Sequence, residues 1–145
     1  TVNERGILMK ADKYEKLKKA RYRKSLKETN DCSVMAIAIT CRLSYKASHE
    51  LMAKFGRKNR RGANTFSILS AAKSLGFEIT AVNNLVQGNG CGYTVNTIGE
   101  KCKAGYYLAF VNGHVLGVVN GDVYDWSQGR RHRIKEVYKV TRKRA

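Results

Sequence analysis

The hydrophobic pattern changes period along the chain. In the first two thirds, apolar residues recur at helical spacing; in the last third they gather into short β-rich runs. Residues 10–28, "KADKYEKLKKARYRKSLKE", predict a basic helix with Tyr14, Leu17, Tyr22 and Leu26 as a thin docking stripe. Asn30 or Asp31 caps a second helix over about 31–41, apolar all round and therefore buried. Ser44 caps a third, "YKASHELMAKF", stopped by Gly56. Thr65 caps a fourth, "FSILSAAKSL", closed by Gly76. "FEITAV" reads as a strand, 83–94 as irregular, and the stretch near 95–102 as a short helix.

The runs "YYLAFV", "HVLGVV" and "DVYDW" are separated by Asn112-Gly113 and Asn120-Gly121. Asn-Gly between β-rich runs signals a hairpin, because a type I′ turn needs positive φ at both central residues. "IKEVYKV" (134–140) adds a strand. Helices followed by an antiparallel meander predict an α+β fold. The expected organisation is a basic N-terminal helix or extension (1–28), a domain over 29–140 and a basic tail (141–145).

Charge changes the picture most. The 145 residues carry 28 Lys+Arg against 11 Asp+Glu, a net of +17. So one-sided a balance points to an anionic partner, most plausibly nucleic acid. Two loop clusters are candidates for phosphate contact: Arg57, Lys58, Arg60 and Arg61 in "RKNRR", and Arg130, Arg131 and Arg133 in "RRHR". No apolar run approaches the roughly 18 residues of a membrane span. Cys32, Cys41, Cys91 and Cys102 form no CxxC pair and match no zinc pattern, so neither metal nor cofactor is expected. Free thiols suit a reducing setting. The chain begins at Thr1 rather than Met, which hints at processing or trimming.

Cys32 stands at the predicted start of the second helix, where unpaired N–H groups and the helix dipole favour a thiolate. Taken alone, such a cysteine is more often a core thiol. His114 adds weight. With Asn120-Gly121 as a two-residue turn, Val119 pairs with Asp122, Leu116 with Asp125, and His114 lies opposite Ser127. Asp125 then becomes the diagonal neighbour of His114 on one face, within reach of its imidazole. A one-residue slip would send it to the other face. Asp122 abuts the turn, Asn120 lies in it, His49 reads as packed or surface, and His132 belongs to the basic patch. Cys91, in "GNGCGY", is the rival thiol.

The order Cys on an early helix, His opening a strand, Asp on the next strand resembles the papain-like cysteine peptidase superfamily. The similarity is greatest to its peptidase C39-like branch and to small phage-encoded papain-like proteins. It rests on "NDCSVMAIA" (30–38), "YKASHELMAKFGRKNRRG" (45–62) and "GHVLGVVNGDVYDW" (113–126). The resemblance implies Cys32 as nucleophile, His114 as base and Asp125 as orienting acid. These families place a Gln shortly before the Cys as oxyanion donor; residues 26–31 hold none, and Asn30, the only side-chain amide there, is the candidate donor, with the Cys32 backbone N–H as the second. The implied activity is hydrolysis of a peptide or protein substrate, in a host cytoplasm or virion interior and near nucleic acid. The alternatives are a papain-fold basic binding or virion protein without turnover, and an acyltransferase or amidase on the same residues.

Overall fold

The computed structural model describes residues 10–82 and 92–142. Cys91, residues 1–9 and the last three residues of the expected tail lie outside them. The helices are α1 (Lys10–Lys18), α2 (Arg21–Ser25), α3 (Cys32–Thr40), α4 (Tyr45–Lys54) and α5 (Thr65–Ser74). The strands are β1 (Phe77–Ala81), β2 (Tyr106–Val111), β3 (His114–Val119), β4 (Asp122–Tyr124) and β5 (Glu136–Arg142). They form one antiparallel sheet in the order β1-β5-β2-β3-β4. The fold is α+β.

Alternation along the strands divides the core in two. Leu108, Phe110, Val115 and Val119 join the helices on one face. Tyr107, Ala109, Val111, Leu116 and Val118 join Val95, Ile98, Cys102 and Ile134 on the other. The short helix expected near 95–102 is only a 3-10 turn, Ile98–Glu100, but it seals this second core.

Several boundaries differ from expectation for identifiable reasons. The single helix expected over 10–28 breaks at Ala20, whose φ of −56° and ψ of 133° are extended. The break lets Tyr14 and Leu17 pack into the core beside α3 and β4 while α2 turns to lie on α4. Tyr14 and Leu17 thus belong to the domain's core. The cap of α5 is Asn64, whose side chain accepts from the Ser67 N–H at 2.8 Å, not Thr65. Ser44 caps α4 as expected, accepting from Ala47 at 3.1 Å. At Asn120-Gly121 both φ values are positive, 49° and 86°, as type I′ requires. At the first turn only Gly113 is positive (72°), the pattern of a type II turn; the loop is still two residues long, so Val111 pairs with His114.

The α3 helix lies against β3 with its residues Ser33–Thr40 all buried. Gly117 makes this approach possible: a Cβ there would lie 3.0 Å from Ile39 Cγ2 and 3.4 Å from Thr40 Cγ2. Any larger side chain must push α3 away from the strand that carries His114. Gly117→Val is therefore expected to destabilise the fold by about 1–3 kcal/mol, the usual cost of overpacking, read from denaturant unfolding. An unchanged midpoint would show that α3 is not seated this way.

Candidate active site

At the N-terminal end of α3, Cys32 is half-buried, the one residue of that helix not fully enclosed. Asp31 holds the N-cap position but makes no side-chain cap. Its carboxylate instead accepts from Arg23 Nε at 2.7 Å and from the Tyr45 hydroxyl at 2.8 Å. The first-turn N–H groups of α3 thus keep their positive end towards Cys32.

His114 opens β3, and its Nε2 lies 2.7 Å from Asp125 Oδ2. The β4 ladder ends at Tyr124, after the pairs Val119–Asp122, Val118–Val123 and Gly117–Tyr124. Asp125 follows at once, just past the last pair, so the expected pairs Leu116–Asp125 and His114–Ser127 do not form although Asp125 still reaches His114. The same Oδ2 accepts from the Ser127 N–H at 3.1 Å and from the Ser127 hydroxyl. With Nε2 held by Asp125, Nδ1 is the ring nitrogen left for the thiol. The half-exposed Trp126 ring lies 5.1 Å from the imidazole, centroid to centroid.

The electrostatics separate Cys32 from the other described thiols. Burial pushes its pKa up, but hydrogen bonds from the His114 imidazole and the Val115 backbone N–H, with the charge of His114, bring it below the ordinary thiol value. Burial disfavours the charged form of His114, yet Asp125 and Cys32 raise its pKa to about 9. Both directions favour a thiolate–imidazolium pair. Cys41 and Cys102 are fully enclosed, and burial pushes each up to about 11.

Cys32, His114 and Asn30 all open into one cleft of about 680 Å³. Tyr14, Lys18 and Arg23 from the N-terminal segment form part of its wall, as do Trp126 and His132. Asn30 is exposed, holds a left-handed φ of 51°, and donates from Nδ2 to the Arg60 carbonyl at 3.3 Å. Among the described residues no cluster of His, Cys, Asp or Glu is arranged to hold a metal ion. No described helix is long and apolar enough to cross a membrane.

The two basic clusters differ. Arg130, Arg131 and Arg133 are exposed, with the Arg130 guanidinium 6.0 Å from the Trp126 ring. Lys58 and Arg61 are exposed too. Arg57, expected to face phosphate, is buried and bidentate on Glu28, at 2.7 and 2.9 Å. Arg60 is exposed but bonds the Leu26 carbonyl at 3.2 Å. His49 is buried and joins the same carboxylate at 2.6 Å.

Sequence reasoning gave no role to Ser127, Glu28 or Arg23, and read Tyr14 only as part of a docking stripe. For Ser127 a signal existed: Asp-x-Ser is a spacing at which a carboxylate bonds the backbone two residues on. Comparison of the chain with protein-family models, curated proteins and solved structures gave no match.

The buried Glu28 carboxyl has a pH consequence. Burial opposes its ionisation, but Arg57, the Arg60 N–H and His49 hold its pKa down at about 2, from an ordinary 4.5. A depressed carboxylate stabilises the fold fully above its unfolded-state value and loses that contribution as pH falls through its folded value. Stability should therefore decline between about 4.5 and about 2. Glu28→Gln should lower stability at neutral pH and flatten this acid limb in a pH series of unfolding curves. An unaltered limb would remove Glu28 from the account.

Proposed function

We propose that the protein is a papain-like cysteine peptidase, a thiol hydrolase acting on peptide or protein substrates. One observation carries the reading: the helix-start thiol of Cys32 faces an imidazole whose far nitrogen is held by Asp125 at 2.7 Å.

The chemistry follows from the geometry. The Cys32 thiolate adds to the scissile carbonyl carbon, and the carbonyl oxygen takes the negative charge. The Cys32 backbone N–H, left without a side-chain cap at the start of α3, is a donor for that oxygen. Collapse breaks the C–N bond, and His114 gives its proton to the departing amine. The acyl group remains on sulfur as a thioester. His114, now neutral, takes a proton from water, whose oxygen attacks the thioester; collapse releases the acid and restores the thiolate–imidazolium pair. Asp125 orients the ring and stabilises its cation throughout.

The similarity of the "NDC" and "GHV…VYD" blocks to small phage-encoded proteins supports work in a host cytoplasm or virion interior. A second reading, a catalytically weak or inactive papain-fold protein that binds nucleic acid, is favoured by the exposed Arg130, Arg131 and Arg133 and the net +17. If it holds, nucleic-acid affinity falls steeply with salt, and replacing these three arginines by alanine makes that slope shallower. An unchanged slope would count against this surface.

For the leading reading, brief iodoacetamide treatment at about pH 6 should alkylate Cys32 ahead of the other cysteines, because only a depressed thiol is appreciably ionised there. His114→Ala should remove that preference. Asp125→Asn should lower turnover by about 10²- to 10⁴-fold, as loss of an orienting carboxylate does elsewhere. Labelling of Cys91 alone, or of none, would contradict the assignment.

A further inference from the structure

The turn that delivers the chain into Cys32 is held by groups from a distant loop. Residues 26–31 connect α2 to α3, and Thr29, Asn30 and Asp31 at their end line the cleft beside Cys32. Lys27 and Asn30, with φ of 52° and 51°, both adopt the left-handed conformation that non-glycine residues seldom take. Something must hold them there.

The loop after α4 supplies it. Arg57 makes two bonds to the buried Glu28 carboxylate and extends the same guanidinium to the Thr29 and Asn30 carbonyls, at 3.4 and 3.5 Å. The Arg60 N–H donates to Glu28 Oε1 at 2.7 Å, and the Arg60 carbonyl accepts from the Asn30 amide. The Arg60 guanidinium reaches the Leu26 carbonyl. His49 completes the carboxylate's shell. An ion pair that only fastened α4 to α2 would have no need to grip these carbonyls.

We propose that Glu28 and Arg57 are positioning residues for the reaction at Cys32. They hold the 28–31 turn so that the backbone entering α3 presents its N–H groups to the developing oxyanion. This rests on the reading of Cys32 as nucleophile. It also reassigns Asn30: its chief contribution is its left-handed backbone, locked by the brace, rather than a free side-chain donor. The thiol itself is fixed separately, by α3 on β3 and by His114. Loosening the brace therefore acts on transition-state stabilisation and leaves the thiolate alone.

The test uses the full chain and the activated ester p-nitrophenyl acetate. Arg57→Ala strands a buried carboxylate and is expected to fold poorly, so Glu28→Gln and two Asn30 variants carry the experiment, each checked by thermal melting. In folded Glu28→Gln, kcat should fall by about 10- to 100-fold, the scale of a small misplacement of reacting groups. KM should change by no more than about twofold, as for groups acting only in the transition state. The pH profile of Cys32 alkylation should keep its wild-type midpoint. Asn30→Gly, which keeps positive φ without steric cost, should retain more kcat than Asn30→Ala. Equal losses in the two Asn30 variants would assign the effect to the side-chain amide and overturn the proposal. So would an undiminished kcat in Glu28→Gln, or a shifted alkylation profile. A wild-type protein that neither hydrolyses the ester nor alkylates at Cys32 would remove the peptidase reading, and this inference with it.

Discussion

The seating of α3 on β3 is the constraint on which the site depends. A helix reading "CSVMAIAIT" has no polar face and is stable only where it is enclosed. Enclosure requires close approach to the sheet, and the missing side chain at Gly117 provides it. Once α3 is enclosed, its first residue is the only one of the helix not fully buried. The thiol is therefore placed by the burial of the eight residues that follow it. The strand that receives the helix also begins with His114, so one packing contact brings Cys32 and His114 together.

Electrostatics then act on a geometry already fixed. Burial by itself would raise the Cys32 thiol and lower the His114 imidazole. Both shift the other way, because each group supplies the other's counter-charge and Asp125 supports the ring from behind. Asp125 is in turn held by Ser127, so the carboxylate has little freedom to turn from the imidazole. A surface-exposed pair of the same residues would gain far less, since water screens such charges.

Much of this was legible in the sequence where the signal is local. Asn120-Gly121 specifies a two-residue turn, the turn specifies the register, and the register carries Asp125 to His114. The apolar run after Cys32 specifies a buried helix in the same way. What was not legible depends on contacts between distant segments. Nothing local tells Arg57 from Arg61, yet one is buried on Glu28 and the other is exposed. The break at Ala20 is equally silent, because it answers to two different neighbours, the α3–β4 side and α4. The net charge of +17 therefore overstates the surface available to a polyanion: at least one of its cations is used internally.

The central claim is that Cys32 is a thiolate paired with the His114 imidazolium. The most direct measurement is ultraviolet absorbance of the thiolate through a pH titration, taken as the difference between wild type and Cys32→Ser. A step below the ordinary thiol value that moves upward in His114→Ala is expected. A step at or above the ordinary value, unmoved by that substitution, would contradict it.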